Sequence, residues 1–304
     1  MQKIIFIITF TFFSLISFGQ SEMSLSEQMI HSTVRIECVY LEKGNDGKVV
    51  VTKGTGSGFF FNYRIDSVEI PVIVTNKHVI SNAYQGSFHL TQKDTSDLPI
   101  YGKHIPIALN DFQNYWIYHP DKNVDLCIMP VAPIIREADK LNTPVYYKTF
   151  DESLIPTDST LKTLTAIEEI LMIGYPIGLW DSYNNLPITR LGQTASPAEL
   201  DYNNEKEFLI DIAAFPGSSG SPIILFNQGS YATENGISIG SRLMLLGILY
   251  AGPEYKAEGK GKLVIDKKPI SITTKTDQPI NIGIVIKSER LLDFKKELEK
   301  LLKN

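Results

Sequence analysis

The sequence predicts an all-β protein made of two six-stranded antiparallel β-barrels and a C-terminal helix. Twelve short apolar runs, separated by turn residues, have the length and composition of strands. Only one long segment is clearly helical. With 304 residues, 43% apolar and 21% charged, the chain is long enough for one large core or two small ones. Twelve strands would fill two barrels that join between residues 148 and 162, although no internal repeat identifies two halves.

Residues 1–19 are predicted to be a signal peptide. Lys3 precedes an uncharged run from Ile4 to Phe18, and the small residues Ser17 and Gly19 are suitably placed for cleavage before Gln20. An uncleaved membrane anchor is the alternative, but the run is shorter than the roughly 20 residues that span a bilayer. We therefore expect an exported protein, periplasmic or secreted, without stable membrane insertion after cleavage. The barrels would then occupy residues 20–150 and 151–304.

Charge and cysteine content limit the partners and cofactors. Without the signal segment, which contributes only Lys3, the net charge is -6, so we expect no nucleic-acid partner. Export would permit a disulfide between Cys38 and Cys127. Both lie in apolar strand patterns, where buried free thiols are commoner. No cluster of cysteines, histidines or carboxylates suggests a metal, and no cofactor is expected.

The elements before the C-terminal helix are predicted in chain order. Ser24 and Glu27 form the pattern of a capping box, which begins a short helix ending near His31. Asn45-Asp46-Gly47 is a hairpin turn between the first two strands. The strand runs are TVRIECVYL, KVVVTKG, SGFFFNY, EIPVIVTN, GSFHL, DLCIMPV, EILMIGYP, FLIDIAAF, SPIILF, LMLLGILYA, KLVIDK and INIGIVI.

The end of the chain is predicted to be a helix docked on the second barrel, from Ser288 to Leu302. Ser288 would cap it, and Lys295 would pair with Glu299 one turn later. Its apolar face would consist of Leu291, Leu298, Leu301 and Leu302. Upstream, residues 253–280 form a long insertion, whose lysines are most simply the solvated face of a hairpin. A lid over a cleft is the alternative.

The run GSSGS is predicted to be a rigid loop that carries a reactive hydroxyl. It is too short for a flexible linker and lies between two apolar strand candidates, FLIDIAAF and PIILF. A serine attacks well only when a base takes its proton, and the resulting oxyanion needs N–H donors. Glycines allow a loop to turn such donors inward. Ser219 is therefore the candidate nucleophile, with the N–H groups of Gly217 and Ser219 as the oxyanion hole.

The candidate base is His78, and the candidate orienting acid is Asp125. Of the five histidines, His78 is the one that follows an apolar strand closely enough to be fixed at a strand end. His119 is the only serious rival. The others, like His119, have the surroundings of surface or capping residues: His31, His89 and His104. Asp125 opens the apolar run LCIM, where its carboxylate could fix the imidazole tautomer, whereas Asp121 and Asp111 have polar neighbours.

Taken together, these motifs resemble the trypsin-like (chymotrypsin-fold) serine peptidases. The order of His78, Asp125 and Ser219, with GTGSGFFF, TNKHV, DLCIM, IGYP and GSSGSP around them, is closest to a bacterial branch. That branch includes the glutamyl endopeptidases and the periplasmic high-temperature-requirement proteases. The similarity extends from about Val34 to the final helix. It implies perpendicular barrels with the triad between them, and an endopeptidase that cleaves protein or peptide substrates through an acyl-enzyme. The alternatives are a catalytically silent binding or scaffold protein and an esterase on this fold.

Departures from the family pattern concern maturation and specificity. Digestive members have an aspartate before the nucleophile that receives the new N-terminal amine, whereas this chain has Ser218. We therefore expect activity that does not depend on a processed N-terminus.

The predicted substrate pocket has small apolar walls: Ala213, Ala214 and the strand Tyr250-Ala251-Gly252. No histidine follows His119 to bind an acidic side chain, as one does in glutamyl endopeptidases. Such walls disfavour a charged side chain because its desolvation is not compensated. Cleavage after small or medium apolar residues is therefore expected.

Overall fold

The computed structural model describes residues 23–44, 47–233, 236–265 and 268–303. The predicted signal segment lies outside these residues, as do Asn45 and Asp46 of the predicted hairpin turn.

The N-terminal half forms a nine-stranded sheet. Its strands are β1 Thr33–Lys43, β2 Val49–Ile65, β3 Val68–Thr75, β4 Ala83–Lys93, β5 Pro99–Asn110, β6 Ile117–Tyr118, β7 Cys127–Pro130, β8 Val145–Tyr146 and β9 Phe150–Asp151. Seven follow the order β5-β4-β1-β2-β3-β7-β6, while β8 pairs with β4 and β9 with β2. Pairing is antiparallel throughout except between β2 and β9. This order places β3 directly beside β7.

The C-terminal half forms a closed six-stranded antiparallel barrel with two hairpins outside it. The strands are β10 Glu169–Gly174, β11 Ile188–Thr194, β12 Glu207–Asp211, β13 Pro222–Asn227, β14 Ser230–Thr233, β15 Gly236–Ile239, β16 Arg242–Ala251, β17 Glu254–Ile265, β18 Lys268–Pro279 and β19 Ile282–Lys287. The barrel order is β10-β11-β12-β19-β16-β13. Among the described residues, β14 pairs only with β15 and β17 only with β18. The predicted all-β class is confirmed, and the 253–280 insertion is a hairpin.

The helices of the described residues are few and short. They are α1 Leu25–Ile30, α2 Lys77–Ile80, α3 Ala132–Lys140, α4 Asp158–Leu161 and α5 Lys295–Lys303. Short 3-10 segments occupy Phe112–Tyr115, Glu152–Leu154, Pro176–Gly178, Tyr202–Asn204 and Ser288–Phe294. The capping box of Ser24 and Glu27 is present at α1. The sequence interpretation missed α3, whose one apolar face packs on the first sheet.

The C-terminal helix is confirmed, but its first half is a 3-10 helix. Ser288 provides no cap, because the position before this segment is Lys287, which makes no capping bond. Lys295 pairs with Glu152 rather than with Glu299. Leu291 and Leu298 are buried in the core, whereas Leu301 and Leu302 are exposed. Tertiary contacts, and not helix periodicity, therefore select the partners of this segment.

Two strand predictions change in detail. The runs KVVVTKG and SGFFFNY form one continuous strand, β2, which pairs with β1 at one end and with β3 at the other. The run FLIDIAAF leaves the sheet at Asp211, because its last residues connect the barrel to the GSSGS loop.

One hydrophobic core joins the two halves. It includes Phe59 and Val74 of the first sheet, Ile173 and Ile248 of the barrel, and Phe294 of the final segment. Burying such side chains contributes about 1.5–3 kcal/mol each. The halves are therefore packed against each other through a shared core.

Both cysteines are buried free thiols, as the sequence favoured. Burial raises the pKa of the Cys38 thiol to about 12, so this thiol is unreactive. Within the described ranges, no helix has the length and apolarity needed to cross a membrane.

Candidate active site

His78 and Asp125 meet where β3 and β7 lie side by side. The two strands pair in a register that places Thr75 opposite Cys127, so the residues that follow β3 lie beside those that precede β7. The imidazole Nδ1 of His78 is 2.5 Å from Asp125 Oδ2, and the His78 backbone N–H donates to Oδ1 at 3.0 Å. Asn76 Nδ2 donates to the Asp125 carbonyl at 2.8 Å. Two hydrogen bonds therefore fix the carboxylate against His78, and the third fixes the backbone of Asp125.

The pairing determines which nitrogen of His78 is available. An ionised carboxylate only accepts hydrogen bonds, so the proton lies on Nδ1 and Nε2 is left as an acceptor. The His78 side chain is 49% exposed, compared with 23% for Asp125. The ring can thus be reached by a substrate while the acid behind it is shielded.

The rival base and acid have structural partners. The His119 side chain is fully buried, 5.1 Å from the Phe294 ring, and its Nδ1 accepts from the Asp121 N–H at 3.1 Å. Desolvation lowers the pKa of His119. Asp121 itself pairs with Arg290 at 2.8 Å. Both residues tie the β6–β7 loop to the C-terminal segment, and neither contacts His78.

The remaining histidines contact aromatic rings elsewhere in the fold. His31 is buried and caps the C-terminal end of α1, in agreement with the expected capping role. His89 Nδ1 and His104 Nδ1 are 2.8 Å apart and lie beside Trp180.

The GSSGS run is a tight loop between β12 and β13, as predicted. Gly217 and Gly220 have φ values of +89° and +86°, which residues other than glycine rarely adopt. A Cβ at Gly217 would lie 2.7 Å from the Tyr175 carbonyl oxygen. A Cβ at Gly220 would collide with the Ser57 carbonyl oxygen and lie 2.5 Å from Thr75 Oγ1. Both glycines are required by the closeness of the surrounding backbone.

Ser57 connects this loop to the strand that leads to His78. Its N–H donates to the Ser219 carbonyl at 2.8 Å, and its Oγ donates to the Gly217 carbonyl at 2.8 Å. The same Oγ accepts from the Tyr175 N–H at 2.9 Å. Thr75 Oγ1 donates to the Ser57 carbonyl at 2.7 Å. One buried serine therefore fixes the Ser219 loop to the residue three positions before His78.

The predicted oxyanion donors have no acceptor in the described part of the chain. The neighbouring N–H groups do: Ser218 donates to Phe215 and Gly220 to Leu249, whereas no bond is formed by the N–H of Gly217 or Ser219. The peptide before Gly217 is oriented by the Ile177 N–H, which donates to the Pro216 carbonyl at 2.6 Å. Ile177 has a φ of +49°, a strained conformation for a β-branched residue. The N–H groups of Gly217 and of Ser219 itself are thus left without an acceptor among the described residues.

The Ser219 hydroxyl does not bond to His78 in this structure. Ser219 Oγ donates to the Tyr250 carbonyl at 3.4 Å. The structure brings the serine loop to Ser57 and Thr75 but leaves the hydroxyl turned toward β16. Ser218, the residue before it, is buried, and its Oγ has no partner among the described residues.

A cavity of about 260 Å³ opens beside Ser219. It is lined by Ala214, Phe215, Pro216, Leu249, Tyr250, Ala251, Gly252, Glu254 and Pro279. Ala213, which was also expected here, borders a separate cavity with Gly192 and Asp211, because neighbouring residues of an extended segment face opposite sides. Glu254 and Pro279 come from the base of the β17–β18 hairpin. Glu254 adds to the cavity an exposed carboxylate that the sequence interpretation did not include.

Sequence reasoning missed the residues that hold the loop in place. Ser57 lies in the GTGSGFFF run, but nothing in that run shows that its side chain contacts residues 160 positions away. Ile177 follows the IGYP motif, and its positive φ has no signal in the sequence. Only a Gly or Asn at that position would have suggested it.

Comparison with known proteins agrees with this geometry. A family model described as a trypsin-like peptidase domain matches residues 56–231, more than half of the chain. The matched range includes His78, Asp125 and Ser219. No match was found among curated proteins. The chain belongs to the family of trypsin-like peptidase domains.

Proposed function

We propose that the protein is an exported serine endopeptidase that hydrolyses peptide bonds through Ser219, His78 and Asp125. The observation that supports the proposal most is the connection between the His78–Asp125 pair and the loop of Ser219. The hydrogen-bonded pair of His78 and Asp125 follows Thr75, which donates to the Ser57 carbonyl, and Ser57 holds the loop of Ser219. In that loop the N–H groups of Gly217 and Ser219 have no acceptor among the described residues. A peptidase family member with both features has the parts that acyl transfer needs.

In the proposed reaction, His78 Nε2 takes the Ser219 proton as the hydroxyl attacks the substrate carbonyl carbon. This requires the hydroxyl to turn from the Tyr250 carbonyl toward His78. The N–H groups of Gly217 and Ser219 stabilise the oxyanion. His78 then gives its proton to the leaving amine, and water hydrolyses the acyl-enzyme by the same steps. Asp125 keeps the proton on Nδ1 and stabilises the imidazolium.

A fluorophosphonate probe tests the nucleophile. We expect covalent labelling of the wild-type protein at Ser219 and none in Ser219→Ala. Labelling that persists in Ser219→Ala, or is absent from the wild type, would contradict the proposal.

A pair of aspartate variants tests the choice of acid. Asp125→Ala should lower kcat by about 10⁴-fold because the imidazole loses its orienting partner. Asp121→Ala removes an exposed pair with Arg290 and should leave kcat within about threefold of wild type. Equal losses in the two variants would show that the wrong carboxylate was chosen.

Two other functions use the same fold. A binding or scaffold protein would not react with the probe. The unpaired oxyanion donors favour a catalyst over such a protein. An esterase would label and cleave ester substrates while leaving matched peptides intact.

The cavity supports a substrate preference for small or medium apolar residues at the cleaved bond. Ala214, Ala251 and Gly252 provide little bulk and no charge, whereas Glu254 is an exposed acid at its edge. A peptide-library profile dominated by Lys, Arg or Glu at that position would contradict this preference.

Export is proposed from residues 1–19 alone. Mass spectrometry of the mature N-terminus should find Gln20 as the first residue. An intact Met1 on the active protein would contradict cleavage. A protein with extra residues before Gln20 should still be active, since Ser218 offers no charge to a new amine.

A further inference from the structure

Arg190 is a cation beside the loop of Ser219. It lies on β11, opposite Met172 of β10. Its guanidinium carbon is 5.1 Å from the centroid of the Phe215 ring. Phe215 is four residues before Ser219 and lines the cavity next to it. The ring therefore holds a positive charge against one wall of the candidate substrate cavity.

This guanidinium has no counter-ion within the described ranges. Arg190 makes neither a hydrogen bond nor a salt bridge there, and its Nη1 is enclosed without an acceptor. Burial lowers the pKa of the Arg190 guanidinium, because no carboxylate offsets the lost hydration. Two other cations with little exposure are paired. Arg242 contacts Glu168 at 2.7 Å, and Lys287 contacts Asp201 at 2.7 Å.

An unpaired, partly desolvated cation is unfavourable unless something else compensates its charge. The planar fork of a guanidinium matches a carboxylate, which it can bind through two parallel hydrogen bonds. Stacking on Phe215 holds the fork in place and so reduces the entropy lost on binding. A buried polar group without a partner, next to a site that takes peptides, therefore indicates a partner on the substrate.

The geometry points to Arg190 as a specificity-determining residue that binds a carboxylate of the substrate. This inference rests on the proposed peptidase function. Arg190 does not line the cavity beside Ser219, so the carboxylate belongs to a residue next to the one that fills the cavity. The carboxylate is either an acidic side chain or the C-terminus of a short substrate.

The test is a set of peptides built on one cleaved parent sequence. Glu and Gln are placed in turn at each position on both sides of the cleaved bond, and each peptide is made with a free and an amidated C-terminus. We expect the wild-type protein to cleave one Glu peptide, or the free-acid form, about tenfold faster in kcat/KM than its neutral counterpart. This is the ratio that one charge-assisted hydrogen bond supplies. Added salt should reduce it.

Variants assign the preference to Arg190. In Arg190→Met the ratio should fall to about 1, and in Arg190→Lys it should be intermediate because the charge remains without the fork. Arg136→Met, which removes an exposed cation of α3, should keep the wild-type ratio. Arg190→Gln replaces Arg190→Met if the latter does not fold, as judged from fluorophosphonate labelling and Tm.

Three results would overturn the inference. They are a ratio near 1 at every position and at both kinds of C-terminus, a preference that survives in Arg190→Met, and a preference confined to the residue that fills the cavity. Cleavage without any acidic preference would leave the proposed function intact. A wild-type protein that neither labels nor cleaves would refute the proposed function and this inference with it.

Discussion

Two segments border the cavity beside Ser219, and they are built in opposite ways. The loop from Phe215 to Ser221 is enclosed by neighbouring backbone, and it forms backbone hydrogen bonds with Ser57, Ile177 and Leu249. In the part of the chain that the structure describes, β17 and β18 pair only with each other, and their hairpin contributes Glu254 and Pro279 at its base. Its described side chains are almost all exposed.

This difference in packing corresponds to a difference in role: the loop holds the candidate catalytic groups, and the hairpin only borders the cavity. A nucleophile and its oxyanion donors must be held within about 0.5 Å of a productive geometry, and buried hydrogen bonds provide that precision. A self-paired hairpin in solvent provides a surface that substitutions change at little cost. Substitutions in the loop should therefore affect turnover far more than substitutions in the hairpin.

The largest effect is expected for Ser219→Ala. It removes the attacking hydroxyl but keeps every backbone bond of the loop. Turnover should fall by about 10⁴- to 10⁶-fold without a change in Tm. A loss below tenfold in kcat for peptide hydrolysis would show that another residue is the nucleophile.

Gly220→Ala should have the next largest effect. The new methyl group would collide with the Ser57 carbonyl oxygen, so the loop must move and turnover should fall by about 100-fold or more. The free energy of unfolding should fall by about 3 kcal/mol. Measurement of kcat checks the loss of turnover, and denaturant unfolding checks the loss of stability.

Gly229→Ala is the matched control for Gly220→Ala. Gly229 has nearly the same φ, +85°, but a Cβ there meets nothing within 4 Å. Gly229→Ala should lower the free energy of unfolding only by the cost of the left-handed backbone conformation, about 1 kcal/mol. Its turnover should be normal. Equal losses in the two variants would mean that the packing of the loop is not what matters.

Ser57→Ala should have a smaller effect on turnover than Gly220→Ala. It leaves the Gly217 carbonyl and the Tyr175 N–H buried without a partner, which lowers the free energy of unfolding by about 1–3 kcal/mol per group. Because Ser57 positions the loop and does not touch the substrate, kcat should fall by about tenfold with KM nearly unchanged. A rise in KM alone, or stability loss with normal kcat in the folded protein, would contradict this role. Ser87→Ala, which loses one 3.4 Å bond to Glu37, is the control.

The smallest effect is expected in the hairpin. Lys275→Ala breaks a 3.2 Å pair with Glu258 between two exposed side chains. Such pairs contribute about 0–1 kcal/mol, so Tm and kcat should both stay close to wild type. A large loss of kcat would show that the hairpin acts on the cavity directly.

The sequence by itself determined the residue types and the order of the site. The all-β class, the capped first helix, the final helical segment and the family follow from local patterns, because strand periodicity, caps and glycine turns are properties of neighbouring residues. The placement of His78 and Asp125 each at the end of an apolar strand was also predictable, since both flank apolar runs.

Only the tertiary structure decided how the site is held and bordered. Four features of the site depend on residues distant in the chain. They are the contacts of Ser57 with Gly217, the collision that makes Gly220 obligatory, the strained Ile177 and the unpaired Arg190. The same holds for the cavity, which includes Glu254 of the hairpin and excludes Ala213. Local pattern fixes which way a short segment turns, but only packing between sheets fixes what lies opposite it.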